Sequence, residues 1–475
     1  MRRQYANPVT TALPDVGSPE PRVLPWLIGL ARLILGAYLR FVLGFERVEF
    51  RHGELLVEAY EMALGGKQRL ILAFRHPYGD EPQLLSWTFG RGVEIEARRM
   101  GVRLPRRPHA VFVHGYEVPR WSGAFIRWLL PRTGSMPVHH SKMDSSGMAR
   151  IRAAIEDGPY PLALSPEGQV SYTSDDVPRL EAGAIRLGFQ SADRLERDGR
   201  RERVVILPVS VHYRYGRRAW ASLERLVGRI EAFAGIGPNT GMDGADLRQR
   251  LAAATGKMIG LAEKAYGLAA PSGGRPDGSA DILSDGRDGN PDERRVRAVV
   301  EAALDSAERL LGIGRGAGDG IERLYRIRQA GWDRVFLPPA EDPRRATTLE
   351  RAILDRRAGE AWYAMRHMEL ADFAWYFRPG HPPAPAGRQE GASPPHELVE
   401  YAQSLWDFAN RMAGGAISGR IDVRPKRAIV AFADPIDLSA RLDGYRADRK
   451  AATAAALGEL MHAYQSSIKE NLHEI

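Results

Sequence analysis

The chain has 475 residues, enough for two or three folded units, and an apolar fraction of 44% that excludes a wholly disordered polymer. It has no cysteine, which excludes a disulfide framework, a thiolate metal site and a cysteine nucleophile and fits a reducing compartment. Its 67 basic residues outnumber 59 acidic ones, and the formal charge of +8 favours an anionic partner: nucleic acid, an anionic membrane surface or a phosphorylated metabolite.

Residues 1–22 carry three arginines but no apolar stretch or small-residue cleavage site, and read as a disordered arm rather than a signal peptide. Residues 23–45, VLPWLIGLARLILGAYLRFVLGF, are the most apolar stretch. Arg32 and Arg40 interrupt it, and a central arginine is costly in a bilayer. On a helix Gly29, Arg32, Gly36 and Arg40 fall on one face, and the leucines, Trp26 and Ile34 on the others. This pattern predicts a helix lying in a membrane interface.

From 46 to 216, short β-rich runs (RLILAF, HAVFVHG, YPLALS, VVILPVSVHY) alternate with amphipathic stretches, predicting an α/β sandwich around a largely buried sheet. Residues 144–157 predict a capped helix leading into YPLALS. From 217 to 420 the texture turns to helices rich in Ala, Leu and Arg, broken by flexible linkers predicted at 267–293 and 378–397, where Gly, Pro, Ser and charge dominate. Residues 421–475 predict a last strand and turn, RAIVAFADPIDLS, and a closing helix.

Two strand-to-loop junctions hold the chemistry. In RLILAFRHPYGDEPQLLSW a strand ends at His76 and a helix follows, with Pro82 suited to its first turn and Asp80 or Glu81 to its cap. A carboxylate accepting from one imidazole nitrogen fixes the tautomer and frees the other to take a proton from a hydroxyl; either Asp80 or Glu81 could serve. In PYPLALSPEGQVSY a second strand ends in a turn over Ser165, Pro166, Glu167 and Gly168. His109, His114, His139 and His140 lack zinc-motif spacing and read as structural, and the glycines of GRGAGDG follow no strand and read as linker. No nucleic-acid recognition motif accompanies the positive charge.

Together RHPYGDE, GAFIRWLLPRTGSMPVHHSK, SPEGQVSY and VVILPVSVHY resemble, in order and approximate spacing, the four blocks of the glycerolipid acyltransferases, the family that includes the lysophosphatidic acid acyltransferases. The match covers residues 25–215, and the closing strand and helix resemble that family's too, so that 217–420 would be a helical insertion. The resemblance implies an acyltransferase-type αβ sandwich. It implies acyl transfer from acyl-CoA or acyl carrier protein to a lysophospholipid hydroxyl, with His76 as general base oriented by Asp80 or Glu81. No metal or further cofactor is implied, nor nucleic acid as a partner, and the location would be the cytoplasmic face of a membrane. Pro166, Glu167 and Gly168 would shape the acceptor site. The family's threonine and arginine after Pro-Glu-Gly are here Gln169 and Val170, so Arg127, Lys142 and Arg179 become the candidates to bind an acceptor phosphate. Arg75 stands where the family often has asparagine, and His140 where it often has arginine. The basic run Arg98, Arg99, Arg103, Arg106 and Arg107 could receive coenzyme A phosphates or an acidic carrier protein.

Overall fold

Strands of two to thirteen residues pair into an eight-stranded sheet in the computed structural model, which describes residues 9, 11–17, 19–139, 144–237, 247–268, 291–316, 320–377, 393–415 and 419–472. Contacts divide the chain into two units: residues 1–17 with 217–424, and residues 18–216 with 425–475. The protein is thus mixed α/β with a largely parallel sheet and an N-terminal apolar helix.

The first unit is helical. Within it β1 (Leu13–Pro14) pairs in parallel with a second short strand at Phe336–Leu337, and Asp355 accepts from the Ala12 amide at 2.7 Å. Residues 12–15, expected in a disordered arm, are therefore tied down.

The α/β unit opens with α1 (Pro25–Ala37), continued by a wider π-helical turn, Tyr38–Val42. By length and composition Pro25–Val42 could cross a membrane, and only 11% of it is buried. Its arginine face reaches outward only in part: Arg40 is exposed, Arg32 is not. Arg32 turns inward, donating to the Pro108 carbonyl at 3.3 Å and pairing with Glu94, and Gly36 packs beside Trp87. The other face is exposed. The helix also stops short of 45, because Phe45 begins β2 (Phe45–Arg51), a strand the sequence reading missed.

Then follow α2 (Gly53–Leu64), β3 (Gln68–Phe74), α3 (Glu81–Trp87), α4 (Val93–Arg99) and β4 (Val111–Gly115). Next come α5 (Val118–Trp121), α6 (Gly123–Arg132), β5 (Met136–Val138), α7 (Ser145–Glu156), β6 (Leu162–Leu164), α8 (Gly183–Arg197) and β7 (Arg203–Tyr215). Asp144 caps α7, accepting from the Gly147 amide at 2.8 Å.

The helical unit contributes α9 (Trp220–Phe233), α10 (Leu247–Ala265), α11 (Pro291–Leu311), α12 (Gly320–Val335), β8 (Phe336–Leu337), α13 (Thr348–Tyr376) and α14 (His396–Met412). The predicted linkers lie mostly outside the described residues, at 269–290 and 378–392, but their ends are helical: α11 starts at Pro291 and α14 at His396. In this unit Arg323 of α12, only 4% exposed, meets Glu301, Asp305 and Glu308 of α11 at 2.6–2.8 Å.

The chain completes the sheet with β9 (Lys426–Phe432) and β10 (Ile436–Asp437), then closes with α15 (Leu442–Ala447) and α16 (Arg449–Asn471), which is capped by Asp448. Strand order is β2-β9-β7-β3-β6-β4-β5, with β10 also on β7. All neighbours are parallel except β9 and β10, which run antiparallel to β7. Strand alternation sends Ile71 and Ala73 into a core with α7, α8 and α16, while Phe74 meets Phe112 on the opposite side.

Arg323→Leu should leave Glu308 buried with only a 3.5 Å contact to Arg326, costing the helical unit about 3 kcal/mol. Denaturant unfolding of the full chain should show that transition moving to lower denaturant.

Candidate active site

Two parallel neighbours in register deliver the candidate residues. Ala73 of β3 pairs with Leu164 of β6, and His76 and Glu167 each lie three residues further on, so both loops leave the same sheet edge side by side. Glu167 Oε2 accepts from the His76 amide at 3.1 Å, and the His76 carbonyl accepts from the Ser171 amide at 3.0 Å. The turn predicted over Ser165–Gly168 is present. Gly168 donates to the Ser165 carbonyl at 3.3 Å, with φ +73°, a conformation that costs glycine little.

Arg75 fixes the two loops. Its side chain is wholly buried, donating Nε to Glu167 Oε1 at 3.0 Å and its terminal nitrogens to the carbonyls of Thr173, Ser174 and Asp176. Glu167 is equally buried. These two residues therefore brace the loops and are spent on one another.

Glu81, not Asp80, meets the imidazole, with Oε2 2.9 Å from His76 Nδ1. The same oxygen accepts from the Tyr78 amide at 2.8 Å, and Oε1 from the Tyr213 hydroxyl. Asp80 occupies the cap position of α3, yet neither carboxylate caps it: Asp80 shares the one hydroxyl hydrogen of Tyr213 with Glu81, at 3.0 Å, and pairs with Lys426. Pro82 sits in the first turn as expected.

A carboxylate on Nδ1 makes that nitrogen the donor, leaving Nε2 as the basic one. His76 is 20% exposed, and Nε2 has no hydrogen-bond partner among the described residues. Burial works to lower the imidazole pKa. The hydrogen bond and charge of Glu81 outweigh it, with Glu167 and Asp80 behind them, and hold His76 above its ordinary 6.5. Burial pushes the Glu81 carboxyl up to about 7, with Asp80 adding to the rise and the hydrogen bonds from His76 and Tyr213 opposing it. The two groups titrate as a pair. Tyr213 is driven well above 10, first by burial and then by the two carboxylates, and so stays a donor.

Tyr213 and Lys426 were not singled out in the sequence. Tyr213 lies on β7 beyond the stretch paired with β3, and Lys426 begins β9, which runs antiparallel to β7 and so starts at the same sheet edge. Both are buried charged or polar residues on apolar strands, the one signal that could have marked them.

The other candidates are placed elsewhere or otherwise engaged. Arg127, on α6, donates to the Pro119 carbonyl at 2.9 Å. Arg179 is exposed beyond the Pro166–Gly168 turn, and Lys142 and His140 lie outside the described residues. Arg98 and Arg99 pair with Glu94 and Glu96 on their own helix, while Arg103, Arg106 and Arg107 are exposed, Arg106 lying over the Tyr160 ring. His109 bonds the Thr133 carbonyl and is lowered by burial to about 4; His114 bonds Gly115 and is also lowered by burial. His139 stacks on Tyr116.

Among known proteins, no family model, no curated sequence and no solved structure matches the chain.

Lys426→Met should strand the Asp80 carboxylate in a buried site and cost about 3–5 kcal/mol in denaturant unfolding. Adding Asp80→Asn should recover most of that loss, giving a clear coupling energy in a double-mutant cycle.

Proposed function

We propose that the α/β unit is an acyltransferase of the glycerolipid type, built on that family's αβ sandwich and working at the cytoplasmic face of a membrane with α1 in the lipid interface. The observation that carries this reading is the His76–Glu81 pair: its Nε2 has no hydrogen-bond partner among the described residues, and Glu167 of the Pro166–Gly168 turn holds the His76 backbone amide. A histidine with one nitrogen fixed by a carboxylate and the other free is built to move a proton.

In the proposed reaction Nε2 takes the proton of a lysophospholipid hydroxyl as its oxygen bonds to the thioester carbonyl of acyl-CoA or acyl carrier protein. The C–O bond forms, the tetrahedral intermediate collapses, the C–S bond breaks, and the thiolate leaves with the proton His76 returns. Glu81 keeps the imidazole oriented and stabilises it while charged. Pro166, Glu167 and Gly168 wall the acceptor site through their backbone. Nothing beyond the thioester co-substrate is needed for these steps.

Lysophosphatidic acid is the first acceptor to test. A second reading, an acceptor without a phosphate monoester, is favoured by the engagement of Arg75 and Arg127 with other groups. Arg75 is sealed under Glu167, Arg127 is turned to Pro119, and Val170 carries no charge.

Labelled acyl groups offered from acyl-CoA and acyl carrier protein to a panel of lysophospholipids on vesicles test both readings. Transfer should occur and fall by about 10²–10⁴ in His76→Ala. No transfer by the wild-type chain with any donor and acceptor would overturn the proposal.

The pH profile gives a separate check. His76 must be neutral to act, and its pKa is held above 6.5, so kcat/KM should rise with pH along a limb centred above 6.5. In Glu81→Gln the main charge favouring the imidazolium is gone. That limb should move to lower pH while the plateau rate drops at least about 10²-fold from the lost orientation.

A further inference from the structure

Two segments of the α/β unit hold large apolar side chains in solvent. On the outward face of α1 and its π turn, Leu33 is 81% and Phe41 78% exposed. On α5 and α6, Trp121, Phe125 and Trp128 are exposed, Phe125 by 67%. Scattered exposed leucines would need no explanation, but a run of exposed aromatics on one short helical pair does. Of the residues of α6 only Pro131 is buried, so this helix holds its rings outward at the expense of packing.

The segments adjoin. The Arg22 amide donates to the Pro131 carbonyl at 2.7 Å and the Leu24 amide to Arg132 at 3.0 Å, so the chain entering α1 runs along the last turn of α6.

Their charge has one sign. Neither residues 21–45 nor residues 118–143 contain an aspartate or glutamate, while Arg22, Arg40, Arg120, Arg127 and Arg132 lie among them. The Arg132 guanidinium lies 4.8 Å from the Trp128 ring and that of Arg40 lies 6.0 Å from Phe41, so cations border the exposed rings. Arg32, in the middle of α1, pairs with Glu94, on the side away from the exposed leucines. Exposed Trp, Phe and Leu bordered by arginine, with no acid, match the interface of an anionic bilayer, where rings sit at headgroup depth and each arginine gains from lipid phosphate.

We infer that α5 and α6 form a second anchor which, with α1, makes one docking surface for an anionic lipid bilayer. The inference rests on the reading that this unit works at a lipid surface, but not on the chemistry at His76. Two anchors hold the unit in a single orientation, as one helix lying in the interface does not.

Flotation of the full chain with vesicles of phosphatidylcholine containing phosphatidylglycerol tests it. The wild-type chain should bind, with a blue shift in indole emission, and bind less to phosphatidylcholine alone. The triple variant Trp121→Ala, Phe125→Ala, Trp128→Ala should lose at least about tenfold in partition. Phe125→Asp, a single change at an exposed position, should lose about tenfold as well, by adding a charge the lipid repels. His76→Ala should bind as the wild type does, so loss of transfer and loss of docking are read apart. Wild-type partition by both aromatic variants, or indifference of the wild-type chain to vesicles, would overturn the inference. So would a change in oligomeric state on substitution with partition unchanged, which would make a second copy the occupant.

Discussion

A guanidinium and a carboxylate, both without exposure, sit where β3 and β6 end, and the geometry of the candidate site depends on them. Arg75 spends four donors on Glu167 and three carbonyls of the following loop, so the strand ends and that loop are joined through one planar group. Such a pair adds little net stability, because its desolvation cost is of the order of its attraction. What it supplies is definition: removing either partner would leave a buried charge unanswered, so alternative loop positions are disfavoured. Glu167 passes that definition to the His76 backbone through its second oxygen. The resemblance to a Pro-Glu-Gly acceptor loop directs attention to Glu167 as a group that meets substrate. Its geometry makes it a brace.

Much of this could be read from residues alone, and the reason is local. RLILAF, YPLALS and VVILPVSVHY are apolar runs bounded by turn formers, and such runs declare strands. The texture change after residue 216 falls where the chain passes from one unit to the other at Gly216 and Arg217. The choice between Asp80 and Glu81 could not be read, since adjacent residues at a helix start point about 100° apart and only their neighbours decide which one faces His76. Those neighbours, Tyr213 and Lys426, arrive from 132 and 346 positions away along the chain. In sequence Lys426 is the unremarked first residue of KRAIVAF. It becomes a partner of Asp80 only because β9 runs antiparallel to β7, a fact no spacing reveals. Arg32 misled for a related reason: helical periodicity identifies a face but not the side on which the protein lies, and the half-buried Glu94 draws Arg32 inward.

The dependence on β9 also orders the assembly of the site. The sheet from β3 to β7 can form from residues 68–215, but the pairing of β2 with β9, and the cation for Asp80, wait for residues 426–432. Contacts of that sequence separation carry a loop-closure cost and form late. A chain lacking the last 50 residues would hold His76 and Glu81 but leave Asp80 as a buried anion beside them.

That arithmetic of charge explains why His76 is basic. Three carboxylates, those of Asp80, Glu81 and Glu167, converge on one sheet edge, and two fixed cations answer them: Lys426 for Asp80 and Arg75 for Glu167. Glu81 is left without a permanent cation. Its hydrogen bonds from Tyr78 and Tyr213 are neutral and only partly offset burial, which lifts its carboxyl to about 7. The remaining way to neutralise it is a proton on the adjacent imidazole, so the deficit at Glu81 appears as raised basicity at His76. A third fixed cation would quench that deficit, and removal of Lys426 or Arg75 would enlarge it at the cost of the fold. The count of two cations for three carboxylates therefore sets both the orientation and the strength of the base.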